Sequence, residues 1–183
     1  MKLKEIWAIR VRLQVNKRTR DLALFNLTID SKLRACDLVN LRVRGVAHGT
    51  QIAARAMVLQ QKTQLPVQFE ITEPTRDSVS AWIANAQLKP DQYLFPSRLG
   101  TSAHLSTRQY SRIVRRWIGS IALDAAAYGT HTMRRTKATL IYRRTKHLRA
   151  VQLLLGHTKL ESTVRYLGIE VDDALEIPEQ TEI

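Results

Sequence analysis

Residues 131–166 read HTMRRTKATLIYRRTKHLRAVQLLLGHTKLESTVRY, and the helical spacing of their apolar residues resolves them into three helices. The first is expected over Thr132–Arg143. The second, Leu148–Leu155, ends at Gly156, a residue suited to the left-handed conformation that closes a helix. The third is expected over Leu160–Leu167. His131 and Arg134 lie three residues apart, so both project from one side of a helix start, while His157 and Tyr166 are separated by just enough chain for a capped turn and a short helix.

Working back toward the N-terminus, Glu5–Gln14 places Ile6, Ile9 and Leu13 at helical spacing, and Asp21–Leu27 repeats the pattern with Leu22, Phe25 and Leu27. The basic turn Asn16–Arg20 joins them, with Thr19 as the expected cap of the second helix. Ser31 is the expected cap of a third helix, Lys32–Leu41, with Arg34 in its first turn. From Arg42 to Thr72 the pattern changes to three short strands around Val43–Val46, Ala56–Leu59 and Val67–Ile71, joined at His48-Gly49-Thr50 and Lys62-Thr63-Gln64. Glu73-Pro74-Thr75 starts another helix, with Val79, Trp82 and Ile83 on its apolar face. Ser106–Ile121 turns Tyr110, Ile113, Val114 and Trp117 inward and Arg108, Arg112, Arg115 and Arg116 mostly outward. The fold class is therefore α+β, mainly helical, with a small three-stranded antiparallel sheet.

At 183 residues the chain is long enough for one compact domain without a disulfide or a metal staple. Cys36 is its only cysteine, which excludes an internal disulfide framework and a thiolate-rich zinc site and fits a reducing compartment. Glu5, Arg10 and Arg12 stand where a signal peptide needs an apolar core, and no apolar run approaches the ~20 residues of a membrane span. A cytoplasmic, nucleoid-associated bacterial protein with no membrane partner is expected. The net charge of +13 is uneven: residues 170–183 hold six acids and no Lys or Arg, so residues 1–169 carry 29 basic against 10 acidic groups. An excess of +19 on the body is the footprint of a polyanion-binding surface.

Displacement at a phosphodiester needs a nucleophile, an acid for the leaving oxygen, and positive charge around the nonbridging oxygens. No Asp and Glu spacing here suggests a two-metal site, and arginine forks are suited to gripping phosphate in a metal's place. Tyrosine is an accepted covalent nucleophile. No metal or cofactor is expected.

Taken with Leu33-Arg34-Ala35-Cys36-Asp37, Lys62, His131-Thr132-Met133-Arg134, Leu155-Gly156-His157 and Tyr166, the chain resembles the catalytic domain of the tyrosine recombinases, the phage-integrase superfamily. The family pattern is an arginine with an acid three residues on, a hairpin lysine, His-x-x-Arg, Leu-Gly-His, and a tyrosine about nine residues further. The resemblance covers almost the whole chain. It implies that Tyr166 attacks the scissile phosphate to form a 3′-phosphotyrosyl enzyme, that Arg34 and Arg134 hold the nonbridging oxygens, and that Lys62 protonates the departing 5′ oxygen. His131 would assist proton movement at Tyr166, His157 would donate a hydrogen bond to the phosphate, and Asp37 would hold Arg34. The chain departs from many members in having Lys32 where they have glycine and Arg135 where they have histidine.

Lys17, Arg18, Arg20, Arg112 and Arg135 are the expected DNA-binding residues. The resemblance implies double-stranded DNA as partner, a homo-oligomer, a tetramer on DNA, and accessory DNA-bending proteins. It divides the chain into a catalytic domain, 1–169, and an acidic tail, 170–183, that docks on a neighbouring protomer. The N-terminal DNA-clamp domain of most integrases is expected to be absent. The activity implied is site-specific recombination of the integrase or invertase type. Type IB topoisomerase-like relaxation is the near alternative, and a non-cleaving DNA-binding accessory protein is the alternative from another class.

Overall fold

In this computed structural model, which describes residues 1–98 and 102–169, a single buried helix organises the chain. The elements run α1 (Leu3–Val15), α2 (Thr19–Ser31), α3 (Ala35–Val39), a 3₁₀ turn (Val43–Gly45), β1 (Ala47–His48), β2 (Gln51–Ile52), β3 (Arg55–Leu59), β4 (Pro66–Glu70), α4 (Glu73–Asn85), α5 (Thr107–Ser120), α6 (Thr130–Thr145), α7 (Leu148–Leu155) and α8 (Leu160–Leu167). From Arg20 to Ser31 every residue of α2 except Leu22 is buried, so its polar groups must find partners inside the protein. Asn26 accepts from Arg10 Nε at 2.8 Å and donates to Ser78 Oγ at 3.0 Å, and Thr28 Oγ1 accepts from the Tyr110 hydroxyl at 3.1 Å. Asp30 takes both the amide and the hydroxyl of Thr72, at 2.9 and 2.6 Å.

Two hydrophobic cores share the chain. The larger one gathers α1 to α5 and the strands around Leu24, Phe25, Leu27, Phe69, Val114 and Ile118. The smaller is built by α6, α7 and α8 through Ala138, Tyr142, Val151, Leu155 and Leu167. Helix α6 joins them, giving Met133 to the first and Ala138 and Tyr142 to the second. Arg134 lies beside Met133, at the seam.

Four sequence expectations change here. Thr19 is the first residue of α2 rather than its cap, which falls on Arg18 with no side-chain hydrogen bond. Ser31 belongs to the end of α2, because Lys32 turns left-handed (φ 54°) and stops the helix. The expected helix over Lys32–Leu41 shrinks to α3, with Arg34 as its extended N-cap. The strands are α+β as expected but form two two-stranded ribbons, β1 with β2 and β3 with β4, instead of one three-stranded sheet. Val43–Gly45 is a 3₁₀ turn, and the stretch Gln51–Leu59 breaks at Ala53-Ala54, pairing first with β1 and then with β4. The Ala53 amide reaches back to Val46 O while Ala54 O accepts from Ile71, so the break is where the strand changes partner.

No helix among the described residues is long and apolar enough to cross a membrane.

Candidate active site

Residues from four separate parts of the chain meet at the seam between the cores. Arg34 stands at the start of α3, Arg134 one turn into α6, His157 just after α7, and Tyr166 near the end of α8. Arg134 is buried and donates from Nη2 to the Leu155 carbonyl at 2.6 Å. Its guanidinium lies 5.8 Å from the centre of the Tyr166 ring, and that ring meets the His157 imidazole edge to face at 5.3 Å. The Tyr166 hydroxyl donates to the main-chain oxygen of His131 at 3.2 Å. His131, exposed, shares with Thr132, Arg135, Ser162, Arg165 and Tyr166 a hollow of about 430 Å³.

The electrostatics follow from burying positive charge. Among the described residues neither Arg34 nor Arg134 makes an ion pair with a carboxylate, and Arg134 Nε has no hydrogen-bond partner. Burial is the largest influence on Arg134 and pulls its pKa down to about 10; Arg34 adds repulsion, and Tyr166 and Asp37 act in the opposite direction. It remains a cation at neutral pH. His157 falls to about 4, first because it is half-buried and then because Arg134 and Arg34 repel a proton, so it is a neutral imidazole at pH 7. Its Nδ1 lies 3.1 Å from Thr163 Oγ1. Burial raises the Tyr166 phenol, and Arg134, Arg135 and Arg34 pull it back toward ionisation.

Lys62 is exposed on the β3–β4 turn, where Gln64 N bonds Gln60 O at 2.8 Å. Asp37 fixes that turn: its Oδ1 accepts the Gln61 amide at 2.9 Å. This corrects the expected Asp37–Arg34 pairing, since Asp37 Oδ1 is taken up by the hairpin and Arg34 donates instead to Gln60 Oε1. Gln60 and Gln152 escaped the sequence reading. Gln152 is buried and its Nε2 holds the carbonyls of His157 and Thr158 at 3.0 and 3.2 Å, shaping the loop that carries the histidine. The available signal for Gln60 was its parity: it follows Ala56 and Val58 on the inward side of β3, a polar residue at an apolar position.

A second polar cluster stands behind the site. Lys137, one turn after Arg134 on α6, bonds Asp30 Oδ1 at 2.7 Å and Glu70 Oε1 at 2.6 Å. Lys32, two residues before Arg34, bonds Glu70 Oε2 at 3.0 Å and the Asp30 carbonyl at 2.6 Å. The network thereby fastens α6, the approach to α3 and the hairpin strand β4 to one another. Lys32 is the glycine-replacing residue of the sequence, and its left-handed backbone is tied down by these bonds.

The expected DNA contacts divide. Arg135 is exposed beside Tyr166, and Lys17, Arg18 and Arg112 are exposed elsewhere. Arg20 is buried, with Nη2 donating to the Pro96 carbonyl at 2.9 Å, so its expected surface role gives way to a structural one. Lys17 and Arg18 sit at the end of α2 remote from Arg34, a helix of 13 residues that spans roughly 20 Å.

Residues 3–171 match the family model described as phage integrase family. The probable integrase/recombinase YoeC of Bacillus subtilis is 32% identical over 162 residues, covering 86% of this chain and 82% of that protein. A tyrosine recombinase of Pseudothermotoga lettingae is 29% identical over 153 residues, 84% of this chain but only 51% of that one. Among solved structures, XerA recombinase superposes with a TM-score of 0.77 at 20% identity, over 98% of this chain and 64% of that one. XerH site-specific recombinase bound to its difH substrate gives 0.74 at 19%, over 97% and 53%. The chain thus spans about half to two thirds of these longer relatives, and most of YoeC.

Proposed function

Since the chain belongs to the phage integrase family, and its relatives include a probable integrase/recombinase and a tyrosine recombinase, we propose that it cuts and rejoins double-stranded DNA through a 3′-phosphotyrosine on Tyr166. The observation that carries this reading is the pair of arginines that have no carboxylate partner among the described residues, one of them fully buried, set against a half-buried tyrosine. A buried unpaired cation is costly unless it serves an anion. A phosphate entering the hollow beside Tyr166 would be that anion.

Arg34 and Arg134 would bind the nonbridging oxygens and stabilise the charge that grows on them in the transition state, the largest electrostatic contribution expected in such a site. Tyr166 Oη would leave the His131 carbonyl, lose its proton, and attack phosphorus as the 5′ oxygen departs with a proton from Lys62. His131, in the same hollow, would assist the phenol's proton, and neutral His157 would donate one hydrogen bond to the phosphate. Attack by a 5′ hydroxyl of another strand on the phosphotyrosine would complete exchange. Arg135, exposed beside Tyr166, would steer the backbone into place. Lys17, Arg18 and Arg112 would meet more distant phosphates. A homotetramer on DNA, and DNA-bending helpers, are part of the same proposal.

The test is a pool of nicked duplexes tiled from the DNA flanking the gene. Denaturing gels should show protein bound covalently to a subset, and Tyr166→Phe should abolish it. Trapping that survives Tyr166→Phe would refute the mechanism. Relaxation of supercoiled plasmid without paired sites would instead mark a topoisomerase.

The acidic tail, 170–183, lies outside the described residues. We assign it to docking on a neighbouring protomer, on the strength of its composition.

A further inference from the structure

We propose that Gln60 is a positioning residue that sets the separation of the two arginines by linking Arg34 to the carbonyl that holds Arg134. The inference rests on the function proposed above. Gln60 is fully buried. Its Oε1 accepts from Arg34 Nη1 and, at 2.9 Å, from the Thr63 hydroxyl. Its Nε2 donates to the Leu155 carbonyl at 3.3 Å, the same oxygen that takes Arg134 Nη2 at 2.6 Å. One planar amide therefore spans the gap from α3 to the α7 terminus, with an acceptor at one end and a donor at the other.

Charge explains why an amide suits this place. Two guanidiniums repel, and nothing on the described chain neutralises either directly. A carboxylate at this position would compete with the incoming phosphate for Arg34 and would face the Leu155 carbonyl with a second acceptor. A hydrocarbon would leave the Arg34 fork free to rotate away. The amide holds both cations without neutralising them, so their positive field stays available to a phosphate. Gly156 completes the fit, because an added Cβ there would lie 3.0 Å from Gln60 Oε1 and 3.1 Å from Nε2. The turn bearing Lys62 is fastened at the same point through Thr63, so the amide registers three expected contacts to one substrate.

The experiment uses the full chain and the nicked duplex trapped in the preceding test, with single-turnover cleavage, DNA affinity and thermal midpoint measured together. Gln60→Met keeps the shape and removes both bonds. It should slow cleavage by about tenfold to a hundredfold, as expected for misplaced electrostatic groups, while DNA affinity stays within about twofold because other phosphates carry most of it. Combined with Arg34→Ala, it should cost less than the sum of the two single losses, since part of its effect runs through the Arg34 guanidinium and only the part through Arg134 and the Lys62 turn remains. Gln60→Glu should also be slow near neutral pH but regain rate as pH falls, when the protonated acid again offers an acceptor and a donor. Loss of fold alone would give no such recovery. Wild-type cleavage speed in Gln60→Met, additive losses with Arg34→Ala, or a Gln60→Glu profile parallel to wild type would each overturn the proposal. Absence of Tyr166-dependent product in the wild type would overturn the underlying reading as well.

Discussion

At Gly156 one missing methyl group decides how α7 meets the hairpin. The residue is left-handed (φ +63°), and a Cβ would come within 2.4 Å of Val67 Cγ2 on β4. Gly168 shares the conformation (φ +67°) but meets nothing within 4 Å among the described residues. Gly168→Ala should therefore cost only the backbone strain, about 1–2 kcal/mol. Gly156→Ala should cost that plus overpacking, about 2–5 kcal/mol altogether, read from denaturant midpoints at constant m-value. Equal costs would mean that β4 yields without resistance. Gly156 is the helix cap that its place after Leu155 predicts, since its amide closes on Leu153 O at 3.0 Å. Its second role was invisible because Val67 is 89 positions away in sequence, and no periodicity reports which strand a helix end will touch. The same holds for Gln60 and Asp37. Their residue types are readable, but their partners depend on tertiary approach, and nothing local to Asp37 distinguishes the nearby arginine from a hairpin amide.

Elements were legible in proportion to how one-sided their surroundings are. Helices α7 and α8 fall on their expected spans, Leu148–Leu155 and Leu160–Leu167, because each shows one apolar face to the small core and ends at a left-handed glycine. Helix α1 reads correctly on its inner face, Ile6, Ile9 and Leu13, yet carries a second apolar stripe of Leu3, Trp7, Val11 and Val15 exposed to solvent. Segment 32–41 misled because Lys32 is a good helix former, and a left-handed lysine held by Asp30 and Glu70 leaves no local signature. That network makes a prediction about how elements hold together. Burial opposes it, but hydrogen bonds from Lys137 bring Asp30 below the usual carboxylate range, and Lys137 with Lys32 does so for Glu70. Depressed carboxylates stabilise the fold above their ordinary pKa of about 4 and lose that contribution as pH falls through the lowered values. Lys137 is raised by the same pairing, so its contribution persists into the alkaline range. Thermal midpoints should be flat around neutrality and fall in acid, and Lys137→Met should lower the neutral midpoint while flattening the acid limb. An unchanged acid limb in Lys137→Met would show that the network contributes nothing to stability. The hairpin offers a separate check: Asp37→Ala removes the acceptor of the Gln61 amide, so hydrogen exchange at the Gln60 and Gln64 amides should quicken by about tenfold, whereas Asp37→Asn, which keeps an acceptor, should hold them near wild type.

For the whole molecule the governing quantity is the separation of charge along the chain. Six of the sixteen acids fall in residues 170–183, and removing them changes the net charge from +13 to +19. Leu167, near the end of the described chain, shares a hollow with Lys2 at the N-cap of α1 and with Arg135 and Arg143 of α6. Two consequences separate. Ending the chain after Glu170, which removes five of the six and brings the net charge to +18, should strengthen non-specific DNA binding and steepen its salt dependence, because fewer fixed anions compete with phosphates. If the tail serves a neighbouring protomer, the same truncation should reduce higher-order complexes on cleavable DNA while leaving the monomer's thermal midpoint within about 2 °C, since a segment engaged in trans adds nothing to an isolated chain. Sedimentation of free protein and of the DNA complex, with thermal melting of the free chain, measures all of these. A midpoint that drops along with assembly would show that the tail packs on its own chain and would overturn docking on a neighbour.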